Sequence, residues 1–219
     1  FYLWAATGSF SLISWYSSRL SVNQQLFLFT LFAAGFAITI PLASFHTWFP
    51  RAHSICSTPV NIMLIGLSTV SVYGFYRFTF SLFPVATSLL APYIATFAVV
   101  GIIVSAMLAL VQTDIKKCVS YIFISQMGLV VLGFSSINPY GIKGALLEMF
   151  YFGLTSVFIF YLTGCLCRKR NSQEIALFGG TGRTSPILAV FYMMAIFVSI
   201  GIPGSNNFVG IFQILLGSF

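Results

Sequence analysis

Charged side chains are scarce in this sequence. Only 6% of its 219 residues are charged, and Asp114, Glu148 and Glu174 are its three acids. A soluble domain carries about a quarter charged residues, because water must wet its surface. Hydrophobic residues make up 58% of the chain, and a surface in contact with lipid needs no charge. The composition therefore excludes a soluble globular domain and predicts an integral membrane protein.

Residues that hold metal ions or redox cofactors are also few. Of the four cysteines, Cys165 and Cys167 are one residue apart, and no pair has the spacing of a zinc or redox motif. The chain has no Rossmann glycine pattern and no cysteine set for an iron–sulfur cluster. We therefore expect no metal, flavin, nicotinamide or iron–sulfur cluster in this chain.

Basic residues give a net charge of +7, but they are scattered at the ends of apolar runs. This placement indicates membrane topology rather than a phosphate-binding face, so no nucleic-acid partner is expected. Seven basic residues would lie on the cytoplasmic or matrix side and three on the other side. The first set is Arg51, Lys116, Lys117, Arg168, Lys169, Arg170 and Arg183, and the second is Arg19, Arg77 and Lys143.

Long apolar runs divide the chain into about seven candidate membrane helices, each of which needs roughly 20 residues. No alternating strand pattern is present, so the sequence predicts an all-α, polytopic membrane helix bundle over residues 1–219. A hydrophilic loop is predicted over 167–185. The predicted segments are Phe1–Ser17, Gln25–Phe49, Val60–Phe80, Thr87–Gln112, Lys117–Phe134, Ile142–Cys165 and Pro186–Phe219.

Two of these segments are abnormal, because each has a helix breaker followed by a polar and aromatic cluster. Pro41 interrupts the second segment, and Pro203 lies in "GIPGSNNF" in the seventh. Proline removes a backbone donor and clashes with the preceding turn. The freed carbonyls must find partners in protein or in a water-filled path. Paired broken helices indicate the ion pathway of a transporter, whereas an ordinary proline kink is the alternative at either site.

Six sequence blocks carry a resemblance to a known family. They are "IPLASFHTWFPRAHS" with "STPV", "YGFYRF", "ALVQTDIKKCVSYIFISQMG", "GALLEMF", "IALFGGTGRTSP" and "GIPGSNNFVGIF", in this order. Together they resemble the antiporter-like membrane subunits of respiratory complex I (NADH–ubiquinone oxidoreductase), closest to the chain-4 type. Subunits of multi-subunit cation/proton antiporters share this architecture and are the nearest alternative.

The resemblance implies a partial antiporter-like fold of inverted repeats, in which Pro41 and Pro203 mark the two discontinuous helices. It implies a multi-pass protein of the mitochondrial inner membrane, with other membrane-arm subunits and lipids as partners. Electron transfer, with FMN, iron–sulfur clusters, NADH and ubiquinone, would belong to partner subunits. The role implied for this chain is to couple that electron transfer to proton translocation.

The family's proton relay is not intact in this sequence. Where the resemblance places relay lysines, this chain has Thr39 and the uncharged run Gly66–Gly74. Gln126 and Phe152 stand at the histidine positions, and Ile211 stands at a glutamate position. Threonine and glutamine form hydrogen bonds, but their side chains do not take up or release a proton at ordinary pH. The resemblance therefore implies a degraded relay, with Thr39 and Gln126 as candidate cavity-lining residues.

Glu148 is the remaining acid inside a predicted span. It precedes Phe152 by four residues, so both side chains lie on one helix face. Glu148 is a candidate relocated relay acid, and the alternative is a structural carboxylate that bonds a neighbour or reaches water near the helix start. His46 is a second candidate, with anchoring of a helix end at the interface beside Trp48 as its alternative.

Three functions remain open from the sequence. The first is a proton-translocating complex I subunit that uses displaced groups such as Glu148. The second is a non-pumping structural scaffold of the membrane arm. The third is a subunit of a multi-subunit cation/proton antiporter, whose ion exchange would not depend on NADH.

Overall fold

Helices make up most of the chain in this computed structural model, which describes residues 2–16, 20–42 and 45–219. A short π-helical segment covers Phe75–Phe80, and a 3-10 turn covers Ile175–Phe178. The α-helices are α1 Tyr2–Thr7, α2 Leu12–Tyr16, α3 Val22–Thr39, α4 Trp48–Ile55, α5 Thr58–Gly74, α6 Pro84–Leu110, α7 Ile115–Ser135, α8 Pro139–Arg170, α9 Thr181–Thr184, α10 Pro186–Ile200 and α11 Asn206–Ser218.

The long helices begin at residues that suit a helix N-terminus. Asp114 caps α7 by accepting hydrogen bonds from the backbone N–H groups of Lys116 and Lys117, at 2.8 and 3.4 Å. Asn138 caps α8 by accepting from the N–H of Tyr140 at 3.2 Å. Such caps satisfy backbone donors that have no partner within the helix. Proline lies in the first turn of α5, α6, α8 and α10, where its missing N–H costs nothing.

Five helical spans are long and apolar enough to cross a membrane: α3, α5 with its π extension, α6, α7 and α8. Helix α10 is apolar but shorter. Together with the absence of strands among the described residues, this confirms the predicted polytopic helix bundle.

Helix α7 lies at the centre of the bundle, with more than half of its span buried. It packs against α4, α6, α8 and α11, and α8 in turn packs against α5, α10 and α11. The outer faces of α5 and α6 expose large apolar side chains, as lipid-facing helices do. These side chains include Met63, Val70, Tyr93, Phe97 and Met107.

The structure departs from the sequence prediction in the first predicted segment and at the end of the sixth. Two short helices, α1 and α2, replace the single helix predicted over Phe1–Ser17, because Gly8 adopts a left-handed φ of 68° and ends α1. Helix α8 continues to Arg170, so the first residues of the predicted 167–185 loop are helical. Arg19, used in the topology prediction, lies outside the described residues.

Candidate functional site

The first predicted break lies between α3 and α4, at Pro41. Because Pro41 has no N–H, the carbonyl of Ala37 accepts instead from the N–H of Leu42, at 3.2 Å. The next carbonyl, that of Ile38, accepts from the Trp48 indole N–H at 3.0 Å. These two carbonyls are therefore satisfied by protein groups, as a membrane interior requires.

The hydrogen bond from the Trp48 indole contributes to the stability of the protein at this break. Trp48→Phe is expected to lower the stability of the protein by about 1 kcal/mol, because the Ile38 carbonyl loses its donor. Thermal denaturation in detergent measures the effect, and Trp4→Phe at an exposed position is the matched control. Equal melting shifts for the two variants would contradict this role of the indole.

The second predicted break lies between α10 and α11, around Pro203. Gly201 and Gly204 adopt left-handed φ angles of 77° and 100°, a conformation that favours glycine. The N–H of Ser205 donates to the carbonyl of Ile202 at 2.8 Å and closes the turn. A Cβ added at Gly201 would lie 2.7 Å from Cδ1 of Ile211, so the Ile211 side chain packs against this turn.

Glu148 lies on α8 where that helix packs against α11, the helix that follows the second break. The residue is 0% exposed. Neither carboxylate oxygen has a hydrogen-bond partner among the residues that the structure describes. Its Oε2 would lie 2.6 Å from a Cβ added at Gly210, so the missing side chain of Gly210 makes room for the carboxyl group. Among the described residues the carboxyl group therefore meets no hydrogen-bonding neighbour, and it does not reach the surface.

Asn207 is a second buried polar residue on this helix contact. It is 0% exposed, and neither its amide nitrogen nor its amide oxygen has a partner in the described part of the chain. The contacts run antiparallel, from Gly144 against Ile214 to Glu148 against Gly210. Asn207 lies one turn beyond Gly210 on α11, so it shares the face that meets α8 next to Glu148. Sequence reasoning did not single out Asn207, although the polar run after Pro203 was its signal.

Buried polar groups without partners are rare in folded proteins, and each calls for an explanation such as a catalytic role or a bound water or ion. An isolated ionised carboxylate is also costly to bury. Gly210 meets Glu148, and Asn207 precedes Gly210 by about one helical turn, so the two polar residues mark a polar centre along the α8–α11 contact, next to the second break. This centre can hold a proton, a bound water or both.

Two of the other predicted site residues lie on different elements. Thr39, at the end of α3, donates to the carbonyl of Phe36 at 3.0 Å and lines an open cavity of about 440 Å³ together with Ser71. Gln126 is half-buried on α7. Thr39 and Glu148 therefore belong to different helix pairs, α3–α5 and α8–α11.

Aromatic rings fill the position where the resemblance places a relay histidine. Phe152 is 1% exposed, and its ring stacks on that of Phe123 with centroids 5.8 Å apart. Phe123 stacks in turn on Phe49 at 5.2 Å. An apolar stack of this kind has no group that binds or passes a proton.

The two histidines have different surroundings. His46 lies in the first break, half-buried, with its ring 6.2 Å from that of Tyr121. His53, on α4, is 0% exposed and lies between Phe49 and Phe160, with ring centroids 4.2 and 4.5 Å away. Neither ring nitrogen of His53 has a hydrogen-bond partner among the described residues. Sequence reasoning missed His53, because only its tertiary contacts show that it is buried.

Comparison with known proteins identifies the family. The sequence profile described as "NADH:quinone oxidoreductase/Mrp antiporter, TM" matches residues 1–219. The chain is 37% identical over 208 residues to NADH-ubiquinone oxidoreductase chain 4 of Chondrus crispus, covering 94% of this chain and 42% of that protein. It is 36% identical over 221 residues to NADH-quinone oxidoreductase subunit M of Rickettsia bellii, covering 100% of this chain and 45% of that protein.

Solved structures have the same fold. A chain of respiratory complex I from Thermus thermophilus with bound NADH superposes with a TM-score of 0.92 at 27% identity, covering 99% of this chain and 47% of that one. A chain of the Mrp complex from Dietzia sp. DQ12-45-1b gives a TM-score of 0.88 at 18% identity, covering 99% and 40%, and shows the fold alone. This chain spans less than half the length of each of these relatives. It belongs to the NADH:quinone oxidoreductase/Mrp antiporter family of transmembrane subunits, as the sequence blocks predicted.

Proposed function

We propose that this chain forms part of a chain-4 or subunit M type membrane-arm subunit of NADH:quinone oxidoreductase. The whole-chain similarity to subunits of that name supports the proposal. The likeness to a chain of a solved respiratory complex I over 99% of this chain supports it as well. Its partners are then the other membrane-arm subunits and the surrounding lipids.

In this proposal the redox chemistry takes place in partner subunits. They supply FMN, iron–sulfur clusters and the sites for NADH and ubiquinone, and this chain contributes no redox centre. The inner mitochondrial membrane is the proposed location, supported by the chain 4 relatives from Chondrus crispus and Marchantia polymorpha. The Rickettsia relatives are bacterial, so fractionation of the source cells tests this point.

The observation that carries a role in proton translocation is the burial of Glu148 without a partner, beside a broken helix. An ionisable group inside a membrane is costly and marks a functional site by default. Glu148 takes up and releases the proton in this chain, and Asn207 lies beside it on α11. Thr39, His46 and Gln126 remain candidates for lining a hydrated path.

Two alternatives predict different behaviour. A scaffold that fills the membrane arm without pumping is favoured by the uncharged residues at all five relay positions that the resemblance implies, which are 39, one position within 66–74, 126, 152 and 211. A subunit of a multi-subunit cation/proton antiporter is favoured only by the shared fold. The antiporter alternative predicts pH-dependent cation exchange in membranes without NADH.

A native gel of the source membranes in mild detergent tests the assignment. The gel is stained for NADH dehydrogenase activity, and the active band is analysed by mass spectrometry. Peptides of this chain in an active band far larger than the chain are the expected result. Their presence only in a smaller band without NADH activity would overturn the assignment and favour the antiporter.

A further inference from the structure

A polar cavity of about 330 Å³ opens at one end of the helix bundle, away from the Glu148 contact. Ser57 and Thr58 line it at the start of α5, and Lys116 lines it in the first turn of α7. Arg168 contributes from the last turn of α8, and the segment after that helix closes the cavity with amide and hydroxyl side chains, those of Asn171, Ser172 and Gln173. The cavity therefore combines two cations with uncharged hydrogen-bonding groups.

Lys116 is an unusually buried cation, with only 8% of its surface exposed. Its Nζ donates to the carbonyl of Cys56 at 3.2 Å. An ammonium group has three donors, and Lys116 forms no ion pair with a carboxylate among the described residues. The carboxylate of Asp114 accepts instead from the backbone N–H groups of Lys116 and Lys117. Buried charges are usually paired, so the remaining donors of Lys116 favour an anionic partner in the cavity.

The start of α5 adds a second feature that favours an anion. Ser57 is the N-cap residue, but its side chain makes no capping hydrogen bond. The first N–H groups of a helix have no partner within it. Pro59 has no N–H, and the N–H groups of Thr58 and Val60 can therefore bind water or a ligand. The N-terminus of a long helix carries a partial positive charge and binds phosphate and carboxylate groups. Lys116 Nζ lies beside this end through its contact with Cys56.

The surrounding charge is positive. Residues 114–117 and 168–174 hold five cations and two acids, so their net charge is +3. The carbonyl end of α8 also borders the cavity and disfavours an anion. The basic residues in the last turn of α8 offset this negative partial charge. One of them, Arg168, is exposed and lines the cavity. The cavity is thus suited to a group with negative charge and several acceptor oxygens.

We propose that this cavity binds a phosphate group, carried either by an anionic membrane lipid or by free phosphate. The cavity lies where α5 and α7 begin and α8 ends, and helix ends of a membrane bundle lie at the level of the lipid headgroups. Basic pockets between transmembrane helices bind anionic headgroups. Lys116 and the start of α5 hold the phosphate oxygens, and Arg168 covers them from the outside.

The test uses the whole complex that contains this chain, stripped of loosely bound lipid in detergent. The complex is exposed to vesicles of phosphatidylcholine alone or with phosphatidylglycerol, and the retained lipid is measured by mass spectrometry. Retention of phosphatidylglycerol is expected to fall about fivefold for each cation removed, in Lys116→Gln and Arg168→Gln. Arg183→Gln, at an exposed position on α9, is the matched control and keeps full retention.

A second arm separates the two sources of phosphate. Radiolabelled inorganic phosphate is offered to the stripped complex without vesicles. Binding that both substitutions weaken indicates free phosphate, whereas retention of phosphatidylglycerol alone indicates a lipid headgroup. Arg168 is exposed, so Arg168→Gln is expected to assemble and still tests the cavity if Lys116→Gln prevents assembly. Unchanged binding of both ligands in Arg168→Gln, relative to Arg183→Gln, would overturn the proposal.

Discussion

Glu148→Gln is expected to lower the number of protons translocated per NADH oxidised by the assembled complex. Glutamine keeps the size and hydrogen-bonding capacity of the side chain but carries no exchangeable charge. Glu148 is the acid that lies buried inside a span, and its carboxylate has no protein partner among the described residues. Replacing the ionisable carboxyl group therefore removes this chain's share of proton translocation, while electron transfer in partner subunits continues.

The measurement uses proteoliposomes that contain the purified complex, with a pH-sensitive dye for protons and absorbance for NADH. NADH oxidation by an artificial acceptor such as ferricyanide is expected to stay at the wild-type rate. Glu174→Gln is the matched control, because Glu174 is an exposed acid in the segment after α8. An unchanged proton yield in fully assembled Glu148→Gln would remove the relay role and leave the scaffold as the function.

Asn207 provides an independent check on the same centre. If Glu148 shares its proton with a water held by Asn207, Asn207→Leu lowers the proton yield in the same direction as Glu148→Gln. The two substitutions together then cost no more than the larger one, because residues that act as one unit are not additive. Additive losses would mean that the two residues act separately.

Much of the fold could be predicted from local sequence signals. Pro41 and Pro203 fall in the two breaks, whereas Pro92 lies inside the continuous helix α6, so a proline alone does not predict a break. The apolar run Phe1–Ser17 predicts one span, but the structure has two short helices there, because hydropathy does not register the left-handed turn at Gly8. Length and composition therefore predict which segments are apolar better than they predict which are continuous.

The candidate site could be predicted only in part, because burial depends on which helices meet. The spacing of Glu148 and Phe152 predicted a shared face on α8. It did not predict that α11 would cover this face, or that Gly210 would leave space for the carboxyl group. His53 shows the same limit, since its partners Phe49 and Phe160 come from α4 and α8.

The close approach of α8 and α11 is the feature most sensitive to a single added methyl group. Gly144→Ala is expected to destabilise the subunit by about 1 to 3 kcal/mol, the usual cost of overpacking. A Cβ at Gly144 would lie 2.7 Å from the backbone nitrogen of Ile214 and 2.9 Å from the carbonyl oxygen of Gly210. Backbone atoms yield less easily than side chains, so α11 must move away from α8. Small residues at membrane helix contacts permit this kind of approach.

Gly66→Ala on α5 is the matched control and predicts the opposite sign. A Cβ there meets nothing within 4 Å, and alanine favours a helix over glycine by about 1 kcal/mol. Thermal denaturation of the purified complex is expected to place Gly144→Ala below the wild type and Gly66→Ala at or above it. Because Gly144 lies one turn before Glu148, the separation of the helices would also admit water to the carboxyl group. An equal or higher melting temperature for Gly144→Ala would mean that the helix contact is looser than the structure gives, and Glu148 would then lose its isolation from water.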